Sequence, residues 1–396
     1  MRSAYLRFLP LFLWLLSPCI WGAVGGRANG YALQYDGQVG VHSFGSKGLA
    51  VDRHGLLFED WEQNKAWSFR IAVRGTLSAL EADELVIRDL YVQYKSGKFL
   101  VRAGNQQVIW GETFGAYYAD IVNPKDYRQF GLLDLEYQRI PVPILNIKYI
   151  GSRSALQLIW IPKPSFNKLP GLSNDFFPSG LAGPDQAIVI GEEQSPELSL
   201  ENSEAGLRLS QQVGTFDLSA FVFNGYDRMP NYRASILQME PLTLRLDPVH
   251  DRMTSFGLTG TADLSEILLR WETVYTPKRG SGWETTWVLG ADYTRLGPWN
   301  AAMQLSEIRQ NTKSRELMLS VHGSGPTWGQ QTLEATMGYV ISDQGTLIQL
   351  KYVAPVSKRI ELGMGADLLG GPGRSQLGQY SHGSRIFVLM RAFMGR

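Results

Sequence analysis

From about residue 31 onward, apolar and polar residues alternate with a period of two, the mark of strands that bury one face. In WVLGADYT, Trp287, Leu289, Ala291 and Tyr293 share one face, and Val288, Gly290, Asp292 and Thr294 share the other. WNAAMQLS sets Trp299, Ala301, Met303 and Leu305 against Asn300, Gln304 and Ser306. LEATMGYV sets Leu333, Ala335, Met337 and Tyr339 against Glu334, Thr336 and Gly338. The alternation recurs around Ile267–Tyr275, Ile348–Tyr352, Ile360–Met364 and Leu207–Leu209. Extended to their turns, the runs are about nine to eleven residues long, which is what a tilted strand needs to cross a bilayer. Short turns such as SGK (Ser96–Lys98), VGT (Val213–Thr215), RLGP (Arg295–Pro298) and SDQG (Ser342–Gly345) join them. Three connections are long, at roughly 109–141, 162–200 and 225–250.

The pattern predicts an all-β chain: a closed antiparallel transmembrane β-barrel of about sixteen strands (range about 14 to 18), with long loops able to fold into the lumen. A soluble β-sandwich also alternates, but its outward face carries Lys and Glu. Here the apolar face places aromatics near strand ends (Trp271, Tyr275, Trp287, Tyr293, Trp299, Tyr339, Tyr352), as the interfacial girdles of a barrel do. The opposite face mixes small polar residues with both signs of charge. Asp89, Glu204, Glu272, Asp292, Glu316, Glu334 and Glu361 are balanced by Arg102, Arg208, Arg270, Lys351 and Arg359. Cross-strand ion pairs that stiffen the wall explain this mixture better than a single-sign selectivity ring. The last run, RIFVLMRAF, places Phe387, Leu389 and Phe393 on one face and resembles a terminal barrel strand, with Arg391 interrupting that face.

Composition narrows the choice further. Among 396 residues, 44% are hydrophobic and 19% charged, with 42 Gly, 17 Tyr and 11 Trp, as expected of a turn-rich all-β chain. The 38 basic and 37 acidic side chains leave no basic field for nucleic acid. Residues 1–23 read as a secretory signal peptide: Arg2 and Arg7 precede the short apolar run FLPLFLWLL. In LSPC, Pro18 stands where a lipoprotein box wants a small residue, which argues against lipidation. The barrel is then residues 24–396, in the outer membrane of a bacterium. The single cysteine, Cys19, falls within the signal, so no disulfide, thiol nucleophile or cysteine metal site is expected.

Catalytic chemistry finds little support. The five histidines are His42, His54, His250, His322 and His382. A Ser320/His322 pair on one polar face is conceivable, but a lumenal polar residue at a strand end is the simpler reading. His250-Asp251, Glu192–Glu193 and the group Glu59, Asp60 and Glu62 sit in predicted loops without ligand spacing and read as solvated charge. No zincin, phosphate-loop or haem-attachment motif occurs. No enzyme, metal or cofactor is therefore expected. The segment 162–184 is rich in Pro and Gly yet carries apolar residues, as a loop folded into or over the barrel would.

One stretch stands apart. RAGNQQVIWGETFGAYYADIVNPKD, residues 102–126, leaves a strand and becomes a dense polar and aromatic patch without His, Cys or Ser. Gly111 permits a sharp turn, and Asn123-Pro124 disfavours helix. Glu112, Asp120 and Asp126 can pair with Arg102 and with Arg128 or Arg139 to pin this connection inside the wall. Constriction candidates are thus Arg102, Gln106, Trp110, Glu112, Asp120, Asn123 and Asp126, with Asp89, Arg270, Glu272 and Asp292 on the polar face of the wall.

The stretch also carries a resemblance. Arg102, Gly104 and Gln106, then Trp110, Gly111 and Glu112, then Asp120, Asn123, Pro124 and Asp126, then Trp160 and Pro162, follow the pattern R-x-G-x-Q, W-G-E, D-x-x-N-P-x-D and W-x-P. Over roughly residues 85–165 the chain resembles an uncharacterised proteobacterial outer-membrane β-barrel family, loosely similar to alginate-export-type porins. Asn105 departs from the Arg of the commonest pattern. The resemblance implies a transport setting and names no substrate. The expectation is a porin-like channel for passage or export of a small or amphiphilic solute. The alternative is a barrel subunit of a larger assembly, for lipid transport or as an electron-conduit sheath; an outer-membrane hydrolase comes last. Partners would be outer-membrane lipid and a periplasmic or assembly component, with no nucleic acid.

Overall fold

A computed structural model describes residues 28–395, except 44–47, 114–117, 131, 133–134, 179–186, 240–241, 280–281, 312–314 and 328. The predicted signal peptide, residues 1–23, lies outside the described residues. The chain forms β1 (Ala28–His42), β2 (Leu49–Gln63), β3 (Trp67–Leu77), β4 (Glu84–Ser96), β5 (Phe99–Gln106), β6 (Val142–Ile150) and β7 (Ser154–Ile161). There follow β8 (Ala187–Ile190), β9 (Glu204–Val213), β10 (Phe216–Tyr226), β11 (Asn231–Met239), β12 (Leu242–Val249), β13 (Arg252–Asp263) and β14 (Ile267–Arg279). The last are β15 (Gly282–Leu296), β16 (Trp299–Gln310), β17 (Arg315–Pro326), β18 (Thr332–Val340), β19 (Gly345–Ser357), β20 (Ile360–Gly370) and β21 (Arg385–Gly395).

A single 18-stranded antiparallel sheet links each strand to its neighbours, and β1 pairs with β21 from Ala32–Gly395 to His42–Arg385. The sheet is a closed barrel, so no edge strand is left with unpaired backbone groups. The strand number is at the top of the expected range. β1 alternates cleanly, with Tyr31, Leu33, Tyr35, Val39 and Val41 against Gln34, Asp36 and Gln38, whereas Arg53, His54 and Gly55 interrupt the alternation of β2, which carries a weak period-two signal although it spans 15 residues. The strands β8, β11 and β12 form a separate small sheet.

The long connections are one-sided. Turns 64–66, 97–98, 151–153, 214–215, 264–266, 297–298 and 358–359 close one end, where β1 begins and β21 finishes. The connections 107–141, 162–203, 227–251 and 371–384 all leave the other end. Three of these are legible in the sequence pattern. The fourth, between β20 and β21, is not, although its Gly, Pro and Ser content marks a loop.

The outward face is the apolar one. Leu90, Leu158, Leu258, Leu289, Met303, Met337, Met364 and Val388 are exposed on it. Aromatics cluster at the short-turn end, where Trp67 packs on Tyr94 at 4.5 Å and Phe99 on Tyr149 at 5.2 Å between ring centroids. Trp160, Tyr275 and Trp283 are exposed nearer the other end. An apolar band bounded by aromatics is the surface a bilayer requires. On β21 the exposed residues are Ile386, Val388 and Met390, while Phe387 and Leu389 are buried. Arg391 shares the inward face with these two and leaves the apolar band unbroken, a correction to the sequence expectation. Mixed charges pair across the inward faces, as in Arg270–Asp292 at 2.6 Å and Arg385–Asp367 at 2.7 Å.

Close to the start of the 107–141 insert, the wall contains a bulge. The β3–β4 register slips between Ala72 and Val73, so the ladder skips Arg88, which is buried next to Asp89. One extra residue thus sets two consecutive charged side chains on the lumen side. On β5, Gly104 holds φ +127°, and a Cβ there would collide with the Leu90 carbonyl oxygen. Gly104→Ala should lose about 1–3 kcal/mol from backbone strain alone, read as a lower urea midpoint. Gly97, at φ +55° with open space around it, should tolerate Ala at about 1 kcal/mol.

Candidate functional site

At Gln106 the chain leaves β5 and turns into the barrel. Two amide side chains fasten the departure. Asn123 accepts from the Val108 amide at 2.7 Å and donates to the carbonyl oxygens of Gln106 (3.2 Å) and Ile140 (2.9 Å). Gln106 donates to the Ile144 carbonyl at 2.8 Å and accepts from Asn146 at 3.3 Å. Asn146 accepts from Gln157 at 3.0 Å, and Gln157 accepts from the Trp110 indole at 3.2 Å. This relay of amides satisfies buried polar groups one by one, as a low-dielectric interior demands. Trp110 itself is completely buried against Phe221 (4.9 Å between centroids) and Phe223, in a cluster with Val108, Val122, Ile144, Ile159 and Val274.

The inserted segment then meets Glu272 on β14. That carboxylate is buried and accepts from the backbone amides of Glu112 (2.6 Å), Thr113 (2.7 Å) and Ala119 (2.8 Å), and from the Thr113 hydroxyl (2.7 Å). Hydrogen bonds to a charged acceptor are the strong ones. Two arginines complete the clamp. Arg208 on β9 donates to the Trp110 carbonyl (3.1 Å) and to the Glu112 carboxylate (2.6 Å). Arg270, while paired with Asp292, donates to the Glu112 carbonyl at 2.9 Å.

Further along, Asp120 pairs with Arg139, and Asp126 accepts from Arg128, which also reaches Glu84 at 2.7 Å. The Pro-rich connection sends residues inward as expected. Asn167 accepts from the Lys125 amide at 2.7 Å, and Phe176 joins Val340, Leu369, Leu377 and Tyr380 in an apolar cluster under the long-loop end. Residues 179–184 of that segment lie outside the described residues. A buried pair, Arg228–Glu204 at 2.8 Å, ties the β10–β11 connection to the same interior, and Arg228 also donates to the Val122 carbonyl at 2.7 Å. Burial lowers the pKa of the Lys125 ammonium and pushes the Tyr127 hydroxyl up to about 12.

The insert fills one side of the lumen and leaves the other open. A cavity of about 680 Å³ lies between Tyr118, Lys125, Tyr127, Phe130 and Tyr137 of the insert and the wall from β17 to β21 and across β1 and β2. A second space of about 360 Å³, bounded by Glu112, Thr113, Arg270, Asp292 and Asn300, shares His322 and Ser324 with it.

The expected candidates therefore divide. Glu112, Arg270 and Asp292 border open space at the clamp, and Glu272 is its buried anchor. Gln106, Trp110 and Asn123 are buried fastenings that line no passage. Asp120 and Asp126 fix the insert through Arg139 and Arg128. Asp89 pairs with Arg70 at 2.9 Å within the wall. Arg102 does not take the expected role: it donates twice to Gln93, at 3.0 and 2.7 Å, above the Tyr91 ring, and not to the carboxylates of the insert. Arg208 makes the contact expected of Arg102, because β9 and not β5 faces Glu112. Asn146 and Gln157 on strands, and Arg228 and Phe130 in connections, are absent from the sequence candidates, since none of them carries a local sign of its distant partner.

A family model described as a protein of unknown function (DUF1302) matches residues 46–349. No curated protein sequence matches. Among solved structures, OmpT, an outer membrane protein of Vibrio cholerae in trimer form, is similar at 10% identity over 93% of this chain and 100% of that one, with a TM-score of 0.49. Salmonella typhi OmpF in complex with daunomycin is similar at 9% identity over 94% of this chain and 98% of that one, with a TM-score of 0.46. The barrel architecture rests on the strand register and not on these likenesses.

Glu272→Ala should strand three backbone amides and one hydroxyl, at about 1–3 kcal/mol for each group left unsatisfied. Hydrogen exchange at the Glu112, Thr113 and Ala119 amides should then rise by about 100-fold or more, on the scale of about 1.4 kcal/mol per decade. Arg102→Glu should leave these three amides protected; their deprotection in that variant would place the clamp at Arg102 instead.

Proposed function

The chain belongs to this family of unknown function, and we propose that it is a bacterial outer-membrane channel with a porin-like barrel, passing a small or amphiphilic solute. The observation that carries the reading is the cavity left open beside the insert. An insert serving only to fill the barrel would pack against the whole wall, whereas about 680 Å³ stays open along Glu316, Ser320, Thr336, Lys351, Asp367 and Arg391. The apolar exterior between aromatic ends suits lipid, and the closed sheet pairs its backbone groups internally.

The lining supports a solute with polar and apolar parts. Asp36, Arg53, Gln349 and Lys351 share the cavity with Phe130, Leu132, Met318 and Leu347. The mechanism is diffusion along this lining, narrowed at the level of Glu112 and Thr113, with no catalytic step and no cofactor. At His322, Nδ1 is hydrogen-bonded to the Thr336 hydroxyl at 2.9 Å, a cross-strand contact of the wall. The small sheet of β8, β11 and β12 favours a second reading, a barrel that is one subunit of a larger assembly. Tyr232, Ile236, Leu237 and Met239 of β11 are all exposed, as in a surface awaiting a partner.

Planar-bilayer recording tests the channel. The purified barrel should show discrete conductance steps, and replacing residues 112–126 by a short Gly-Ser linker should raise the step size. Silence from both proteins would sink the channel reading. Stoichiometric co-purification of another protein, lost on charge substitution of Ile236 and Met239 at the long-connection end, would favour the assembly.

A further inference from the structure

We infer that the cavity beside the insert binds an amphiphilic carboxylate, with its head at Arg53 of β2 and Gln38 of β1 and its alkyl chain along Leu389 and Phe387 of β21. Arg53 and Gln38 face each other across the β1–β2 ladder, and both line the cavity. Directly opposed side chains on one face start about 4.5–5.5 Å apart, close enough to reach one carboxylate together. Both have donors to spare: among the described residues neither side chain has a hydrogen bond or an ion pair. Three carboxylates lie around Arg53, and each is held by another arginine. Asp36 accepts from Arg74 at 2.6 Å and Asp126 from Arg128 at 2.9 Å. Glu81 stands 3.8 Å from Arg128 and accepts from Gln129 at 3.1 Å. A guanidinium without a partner at the edge of a confined space is costly, and its planar fork matches a carboxylate.

The apolar half of the site begins beside this pair. Gln38 faces Leu389 on its other side, so Arg53, Gln38 and Leu389 form one cross-strand row about 10 Å long. Val51, the next inward residue of β2, packs with Phe387 and Leu389, and both of these line the cavity. A Cβ on Gly365 would collide with the Phe387 ring, so the ring lies against the wall and its outer face is turned to the open space. Farther round, Met318 and Leu347 of the wall and Phe130 and Leu132 of the insert continue the apolar lining, and all four are only partly buried. Water gains nothing from such a surface, whereas an alkyl chain covers it. The other lining carboxylates do not oppose the head. Glu334 pairs with Lys351 at 3.7 Å and Asp367 with Arg385 at 2.7 Å. Glu316, without an ion pair among the described residues, lies on β17, six strands round the wall from β2.

The inference rests on the channel reading for its place in transport, but its test needs no conduction. The full chain is held in amphipol and checked for folding by heat-modifiable migration on gels. It is dialysed to equilibrium against radiolabelled hexanoate, octanoate and decanoate, with uptake by empty amphipol subtracted. Binding should saturate, and each two added methylenes should tighten it about tenfold, as burial of an alkyl chain does. Acetate, which is the head alone, and octanol, which lacks the charge, should each compete about tenfold more weakly than octanoate or worse. Arg53→Gln removes no hydrogen bond or ion pair of the wall, so the variant should fold, and it should weaken octanoate by about tenfold or more. Gln38→Leu should weaken it by a smaller factor. Unchanged octanoate binding in Arg53→Gln overturns the site, and so does equal competition by octanol or an affinity that ignores chain length. Tighter binding of octyl phosphate than of octanoate overturns the carboxylate head. Saturable binding without conductance steps overturns the channel and leaves the site standing; steps without binding do the reverse.

Discussion

The seam between the first and last strands is the constraint on which everything else depends. Once Ala32–His42 pairs with Arg385–Gly395, the sheet has no edge, and every residue belongs either to an outside or to an inside. The outside is then free to be apolar along its whole height. The inside becomes a confined space in which charges must find partners, and the wall meets that demand with pairs such as Arg270–Asp292 and Arg385–Asp367. The same enclosure makes an inserted loop tolerable, since its irregular backbone is satisfied by inward-facing side chains and not by water alone.

The insert and the wall are joined by two kinds of contact. At Trp110 the contact is apolar and dry, with the indole nitrogen handed to Gln157 and onward to Asn146 and Gln106. At Glu272 it is electrostatic, with a buried carboxylate gathering the donors of Glu112, Thr113 and Ala119. The first fixes where the segment enters and the second how far it reaches. Between them they leave the β17–β21 side of the lumen open, which makes the barrel asymmetric in cross-section.

Much of this is legible in the sequence, and the limits of legibility are physical. Alternation reveals the strands because a barrel strand has one wet and one apolar face, a property each strand shows alone. It does not sharpen β2, where Arg53, His54 and Gly55 blur the two faces. The 102–126 stretch stands out by its density of polar and aromatic residues, and Glu112, Asp120, Asn123 and Asp126 are all contact residues of the insert. Arg102 is not their anchor, because nearness in sequence does not decide pairing. In a barrel the partner of an insert is set by the wall it reaches, and β9 and β14 lie far along the chain. The amide relay through Asn146 and Gln157 is invisible in the sequence for the same reason.

Three of the four donors that Glu272 gathers are backbone amides, which every residue except proline supplies. The clamp therefore reads the path of the insert and is nearly blind to its side chains. Residues that border the cavity, Tyr118 or Phe130 for instance, can be exchanged by mutation while the segment stays moored in place. A lineage of such barrels can change the lining of its cavity without having to rebuild the mooring of the insert.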